Sequence, residues 1–240
     1  MRVRLEAVCT TPLDCEIAEA NGADLIELCT ALEVGGLTPS FGLLDACRSV
    51  TSLPISVMLR PRPGAFGYDE GERRAMERDA QVLRSAGATG FVVGGLAPGG
   101  GIDWELLKRI RPLAHGDLVF HRCVDQVEDY AGALRELQEF GVQRVLTSGG
   151  APKAMDGLQA LADAVRNHEP GLTILVGGGV RASNVAEIIQ KTGATAVHMA
   201  PLAERIDPTR DGSRGTDYGA LQMLDGAGIA AARAALDSVA

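Results

Sequence analysis

The sequence predicts an α/β fold, a single-domain closed (β/α)8 TIM barrel, on three observations. First, a short β-branched or apolar run gives way to a glycine, polar or charged turn and then to an amphipathic helical stretch, eight times in 240 residues. Such units build a parallel sheet through right-handed crossovers, and eight of them at about 30 residues each close it into a cylinder. Second, Asn21-Gly22-Ala23, Ala86-Gly87-Ala88 and Thr192-Gly193-Ala194 echo one another where a helix ends and a strand begins. Glycine there supplies a left-handed cap. Third, no linker or low-complexity stretch interrupts residues 1–240, so the chain reads as one domain.

The units follow in order. Residues 3–8 form the first strand and Pro12 to Asn21 a helix closed by Gly22. Residues 24–28 form the second strand, and Thr38-Pro39-Ser40 opens the next helix. The third strand, 55–59, leads through the Pro-rich loop Arg60 to Tyr68 into a charged helix from Asp69 to Ala86. Residues 90–93 are the fourth strand. After the glycine-rich stretch 94–101, Asp103 caps a helix, and the fifth strand, 118–121, runs into His121. A helix near Val127 to Phe140 stops at Gly141. The sixth strand is 144–147, followed by a helix from about Lys153 to His168; the seventh is 173–176, followed by a helix near Ser183 to Thr192; the eighth is 196–199. Glu204 to Thr216 reads as a loop, and a closing helix is expected at about 217–235 although Gly226 and Gly228 each weaken it by roughly 1 kcal/mol relative to Ala.

Composition bounds the function. Hydrophobic residues make up 46% and charged residues 22%, with a formal net charge of −8. An acidic chain without clustered Lys and Arg does not suit a polyanion, so neither nucleic acid nor an acidic membrane surface is an expected partner. No apolar run approaches the roughly 18–20 residues that span a bilayer, and the chain enters a strand at once, which predicts a cytoplasmic protein. The cysteines Cys9, Cys15, Cys29, Cys47 and Cys123 are odd in number and lack C-x-x-C spacing, arguing against a disulfide framework or zinc ribbon. The glycines at 94–101 lack dinucleotide spacing, so no nucleotide cofactor is indicated.

Chemistry in a barrel sits where strands end and loops begin. Gly177-Gly178-Gly179 precedes a helix and lies beside the sixth loop, Thr147-Ser148-Gly149-Gly150. Loops seven and eight are where barrels commonly hold phosphate, and loop six is adjacent, which marks Ser148, Gly149, Gly178 and Gly179 as anion-binding candidates, with Arg60, Arg62 and Arg122 as cationic ones. In the third strand Ser56, Met58 and Arg60 share a face opposite the apolar Ile55, Val57 and Leu59, so Arg60 points inward. A carboxylate or an anionic ligand is then its expected partner, a structural pair and a binding role being equally open. The same alternation turns Glu27 and Glu6 inward, and His121 and His198 end strands five and eight. Glu6, Glu27, Arg60, His121 and His198 form the expected catalytic set, gathered at the barrel mouth around a small anionic or phosphorylated metabolite. Cys15 and Cys47 read as core filler.

The segments Leu5-Glu6-Ala7-Val8-Cys9, Gly22 to Cys29, Gly35-Gly36-Leu37-Thr38-Pro39-Ser40, Arg60-Pro61-Arg62, Phe120-His121-Arg122, Leu146-Thr147-Ser148-Gly149 and Gly177-Gly178-Gly179-Val180 together resemble the CutC copper homeostasis proteins. The resemblance covers residues 3 to about 200. It implies a cytoplasmic barrel that self-associates as a homo-oligomer, a dimer, and Cu(I) held by the thiolates of Cys9 and Cys29. Three segments depart from the family pattern, one of them Met199-Ala200-Pro201, which stands where small polar residues are common. Pro63-Gly64-Ala65-Phe66 lacks an acidic residue usual there, and His121-Arg122-Cys123-Val124-Asp125 gains a thiol, so that Cys123 offers a third sulfur. Strand alternation sets Cys9 on the opposite face from Glu6 while Cys29 stays on the face of Glu27, so copper binding and enzyme action on an anion both stand as readings.

Overall fold

The computed structural model describes residues 2–168, 171–205 and 221–239. Eight parallel strands form a closed barrel in chain order: β1 Arg4–Cys9, β2 Leu25–Leu28, β3 Ile55–Met58, β4 Gly90–Val93, β5 Asp117–Phe120, β6 Arg144–Thr147, β7 Thr173–Val176 and β8 Ala196–Met199. The helices outside it are α1 Pro12–Ala20, α2 Phe41–Arg48, α3 Glu70–Ser85, α4 Trp104–Ile110, α5 Tyr130–Phe140, α6 Leu158–Asn167, α7 Val185–Thr192 and α8 Gly226–Asp237. The expected TIM barrel is the fold observed.

Local chemistry sets the boundaries. Thr11 and Asp14 form a reciprocal capping box at the start of α1, as Asp69 and Glu72 do for α3, satisfying amides the first helical turn leaves free. Gly22, Gly87 and Gly193 all take positive φ, as the repeated helix-to-strand junction requires. Two helices begin later than their sequence suggests. The residues before α5 form a 3-10 turn over Arg122–Gln126, and Asp129 then caps the helix through Gly132 N at 2.9 Å. Before α6, the amide of Ala154 is drawn to Gly178 O at 2.8 Å.

The C-terminal region differs more. Leu202–Arg205 is a strand, β9, paired antiparallel with β10, Leu221–Leu224, and α8 starts only at Gly226. The expected loop at 204–216 and the first residues of the expected helix therefore give way at their described ends to a two-stranded ribbon; residues 206–220 lie outside the described part. Buried Asp14 holds the ribbon by accepting from Leu224 N at 3.0 Å. At Gly226 a Cβ would come 2.8 Å from Ile17 Cγ2, so the glycine allows α8 to approach α1.

Two apolar cores follow from the barrel. The larger lies between strands and helices and includes Leu5, Ala7, Cys9, Ile26, Val57 and Val93. The smaller fills the cylinder with Val8, Cys29, Met58, Val92, Val119, Leu146, Leu175 and Ala196. Following paired residues around the wall from Val8 leads through Glu27, Ser56 and Gly90 down to Asp117. That stagger stacks inward side chains in layers drawn from alternate strands. Val8, Met58, His121 and Gly177 lie above Glu27, Val92, Leu146 and His198; Glu6, Ser56, Val119 and Leu175 come next, with Arg144 beneath.

Candidate functional site

The barrel interior carries a buried ionic cluster. Glu6 is fully buried on β1, Glu27 is 3% exposed on β2, and Arg144 is 2% exposed at the foot of β6. The Arg144 guanidinium donates through Nη1 to Glu6 Oε2 and through Nη2 to Ser56 Oγ at 2.8 Å. Its Nε sits 2.9 Å from Asp117 Oδ2, an ion pair whose N–H direction falls short of a hydrogen bond. His198 Nδ1 lies 3.0 Å from Glu6 Oε1 and 4.0 Å from Glu27 Oε2. Glu27 Oε2 is buried with no hydrogen-bond partner.

Electrostatics separates the two glutamates. Burial alone would raise Glu6, yet Arg144 and His198 together hold its carboxyl down at about 2. Burial raises Glu27 to about 7, with His198 opposing and Glu6 adding to the rise. His198 is itself raised: Glu27 and Glu6 outweigh the effect of burial. Glu6, Glu27 and His198 thus share one compact site in which a proton or a cation is the natural occupant. Among the described residues these three are the group whose donor atoms, all within 4.8 Å of one another, could hold a metal ion.

The arginines expected to receive an anion are already engaged at the rim. Arg60 faces neither a carboxylate nor open space. Its Nη1 donates to Val34 O at 2.8 Å and Gly36 O at 3.0 Å, its Nη2 to Gly64 O at 2.9 Å, and its guanidinium lies 5.1 Å from the Phe66 ring centroid. It staples the loops after β2 and β3 through backbone carbonyls rather than a carboxylate, with Nε left buried and unpartnered. Arg62 is spent on Glu72 and on the carbonyls of Pro63, Ala65 and Gly67. Arg122 donates to Asp125 Oδ2 at 3.0 Å, Ser148 Oγ at 2.7 Å and the carbonyls of Ala151 and Pro152 at 3.2 Å.

The sixth loop is likewise occupied by a group of the chain itself. Asp125 Oδ1 accepts from Thr147 Oγ1 at 2.6 Å, Ser148 N at 3.1 Å and Gly150 N at 3.0 Å, and Oδ2 accepts from Ser148 Oγ at 2.8 Å. Ser148 therefore faces an internal carboxylate, and the Gly149 amide turns back to Thr147 Oγ1 at 2.9 Å. Gly178 and Gly179 take positive φ beside Arg122 and Lys153; a Cβ on Gly178 would meet Arg122 Cζ at 3.1 Å. A cavity of about 420 Å³, lined by Phe66, Arg122, Asp125 and Gly150, opens beside these loops.

His121 closes the layer above the ionic cluster. Its Nδ1 accepts from Cys123 N at 3.2 Å, which places the ring proton on Nε2, and its ring lies 4.9 Å from that of Phe66. Burial, and then Arg60, lower it to about 4, a neutral imidazole. His121 Nε2, Arg60 Nε and Tyr68 OH are all buried without a hydrogen-bond partner. So of the five residues expected to meet at the mouth, Glu6, Glu27 and His198 lie deeper, inside the cylinder, while Arg60 and His121 remain at the rim.

The thiols fall on two sides of the wall. Cys29 belongs to the interior core, and Cys9 belongs to the outer core between β1 and the helices. There Cys15 makes hydrogen-bonding contact with both Cys9 and Cys47. Cys123 is also in the outer core. Burial raises the Cys29 thiol, with Glu27 adding to it, and raises Cys123, with Asp125 adding to it. The pleat sets Cys9 and Cys29 on opposite faces of the wall: successive residues of a strand face opposite ways, and β1 turns Cys9 outward. Cys15 and Cys47 are core residues as expected.

Sequence reading missed Arg144, Ser56 and Asp117 as members of the interior cluster, and Asp125 as the occupant of loop six. The signal for Arg144 was available. It opens a strand whose alternation puts it on the face of Leu146 and Ser148.

Comparison with known proteins agrees with this architecture. A model of the CutC family matches residues 3–202. A family protein CutC from Aliivibrio fischeri (strain MJ11) is 42% identical over 191 residues, 78% of this chain and 77% of that protein. The human copper homeostasis protein cutC homolog is 36% identical over 206 residues, covering 84% of this chain and 74% of its own. The solved structure of CutC from Streptococcus agalactiae superposes with a TM-score of 0.78 at 28% identity, covering 82% of this chain and 97% of that one. With the family match spanning most of the barrel, the chain belongs to the CutC family.

Proposed function

We propose that this chain acts in copper homeostasis, the role for which its relatives are named, as a cytoplasmic protein, and that it does so without a Cys9–Cys29 thiolate pair. The observation that carries the second part is the wall of β1, with Cys29 inside the barrel and Cys9 outside it. Cu(I) favours sulfur, but one ion cannot be shared across a packed strand. Copper content of protein purified under reducing conditions tests this. Copper retained by wild type and equally by Cys9→Ser with Cys29→Ser supports the proposal; its loss in the double variant restores the thiolate pair, and its absence from wild type removes copper as cargo.

A second reading, an enzyme acting on a small anionic metabolite, is favoured by one observation at the rim. Arg60 Nε, His121 Nε2 and Tyr68 OH are buried hydrogen donors with no acceptor, and each such group costs about 1–3 kcal/mol. A carboxylate or phosphate entering beside Phe66 would supply acceptors. Thermal shift with inorganic phosphate and small carboxylates tests it: stabilisation of wild type that is lost in His121→Gln supports the reading, and no stabilisation by any of them rejects it. As for self-association, Leu13, Val34, Phe41, Leu202 and Leu221 are exposed large apolar side chains on the segments that follow the adjacent strands β1, β2 and β8. They favour a homodimer, which light scattering of wild type against Phe41→Asp would test. No helix among the described residues is long and apolar enough to cross a membrane.

A further inference from the structure

We propose that Glu6, Glu27 and His198 form a divalent-cation site inside the barrel, of the nitrogen–oxygen donor class that suits Zn2+ or Cu2+, with Arg144 and Asp117 as its supporting shell. Donors bound tetrahedrally to one such ion at about 2.0–2.2 Å lie about 3.3–3.6 Å apart. His198 Nδ1 is 3.0 Å from Glu6 Oε1 and 4.0 Å from Glu27 Oε2, and all three donor atoms fall within 4.8 Å of one another. A carboxylate adjustment of about 1 Å brings the whole set into range.

An independent observation points to an occupant. Glu27 Oε2 is buried and bonds to nothing, although it lies in a cluster where every other carboxylate is paired. Charge points the same way. Three carboxylates, Glu6, Glu27 and Asp117, surround one guanidinium, Arg144; in the ligating state, with the carboxylates ionised and His198 neutral, two negative charges remain. A divalent ion balances them.

The site also has an opening. His198 has 12% of its side chain exposed, while Gly177 in the layer above it packs closely, a Cβ there meeting Leu146 Cδ1 at 2.5 Å and His198 Cβ and Cδ2 at 3.5 Å. Three protein donors with one approachable side is the pattern of a metal that receives a fourth ligand. Cys29 is separated from this site by the layer containing Val8 and Met58, so no sulfur enters the first shell, which disfavours Cu(I) and favours borderline divalent ions.

This inference deepens the copper reading by naming a donor set, and its test separates the two. Full-length protein stripped with a chelator and desalted is titrated with Zn2+ and with Cu2+ by calorimetry, as wild type, Glu27→Gln, His198→Asn and the Cys9→Ser, Cys29→Ser double variant. One equivalent should bind to wild type and to the double variant alike, with affinity lowered by about 100-fold or more in Glu27→Gln and His198→Asn. X-ray absorption of the Zn2+-loaded wild type should show nitrogen and oxygen neighbours only, a readout that does not depend on any variant folding. No binding to wild type, undiminished binding to Glu27→Gln, or sulfur in the first shell would each overturn the site. Sulfur neighbours with bound copper would do so while leaving the copper role standing; Zn2+ held by nitrogen and oxygen in a protein purified without copper would uphold the site while that role falls.

Discussion

The sixth loop and the inside of the barrel each enclose a carboxylate, Asp125 and Glu27, but they treat it in opposite ways. In the sixth loop both oxygens of Asp125 are met, by Thr147 Oγ1, Ser148 N, Gly150 N, Ser148 Oγ and Arg122 Nε. Inside, Arg144 is similarly tied to Glu6, Ser56 and Asp117, yet Glu27 Oε2 one layer higher faces no partner. A buried polar group left unpaired is costly, so saturation marks scaffold and its absence marks a place kept open for something else. The interior cluster is both at once, a tied base under an untied ceiling.

Substitutions that break this comparison should rank accordingly. Arg144→Ala removes the cation that Glu6 and Asp117 surround and should cost about 3–5 kcal/mol, read as a lowered urea midpoint, because it leaves buried carboxylates uncompensated. A smaller cost than that of a surface arginine would show that the base is not scaffold. His121 tests the layer above. Its folded value of about 4 lies below the usual 6.5, so the unfolded chain binds more protons between those values. The stability from its neutral form is present in full above pH 6.5 and is lost as pH falls toward about 4, amounting to about 3 kcal/mol. His121→Gln should flatten that part of the pH–stability curve, and an unchanged slope would reject the assignment.

Asp125→Ala should cost about 2 kcal/mol by stripping the acceptors from Ser148 N and Gly150 N. The emptied amides should then let phosphate raise the melting temperature of the variant far more than that of wild type. Equal shifts would mean that the loop holds anions without regard to Asp125. The smallest effect belongs to the untied ceiling: Glu27→Gln should change stability by less than about 1 kcal/mol, since the lost oxygen bonds to nothing. A loss as large as that of Arg144→Ala would make Glu27 scaffold and erase the contrast.

Much of this was legible in the sequence because it is periodic. The strand–turn–helix rhythm, the glycine at Gly22, Gly87 and Gly193, and the two-residue alternation that turned Glu6 and Glu27 inward and Cys9 outward all depend on local geometry. Depth and pairing do not. Arg60 was placed on the inward face, but its acceptors come from Val34, Gly36 and Gly64, carbonyls whose direction depends on loop conformation and leaves no trace in side-chain pattern. Asp125 stands four residues after His121 in the chain, whereas its partners lie a unit further on at Thr147, Ser148 and Gly150. The stagger of the closed sheet set Glu27 and His198 in one layer and Glu6 below it, a relation between distant strands that no window of residues contains. The ribbon of β9 and β10 was missed for the same reason, since what holds it is Asp14, 210 residues away.

The turn of β1 has a consequence for how such a protein can change over evolutionary time. Bringing the sulfur of Cys9 to the side of Cys29 would take a slip of a single residue in β1, and that slip would send Glu6 out among the helices along with every other inward group of the strand. A thiolate clamp and a carboxylate–imidazole centre are therefore alternatives that one alignment of this strand cannot host together, and a descendant that acquires the first surrenders the second.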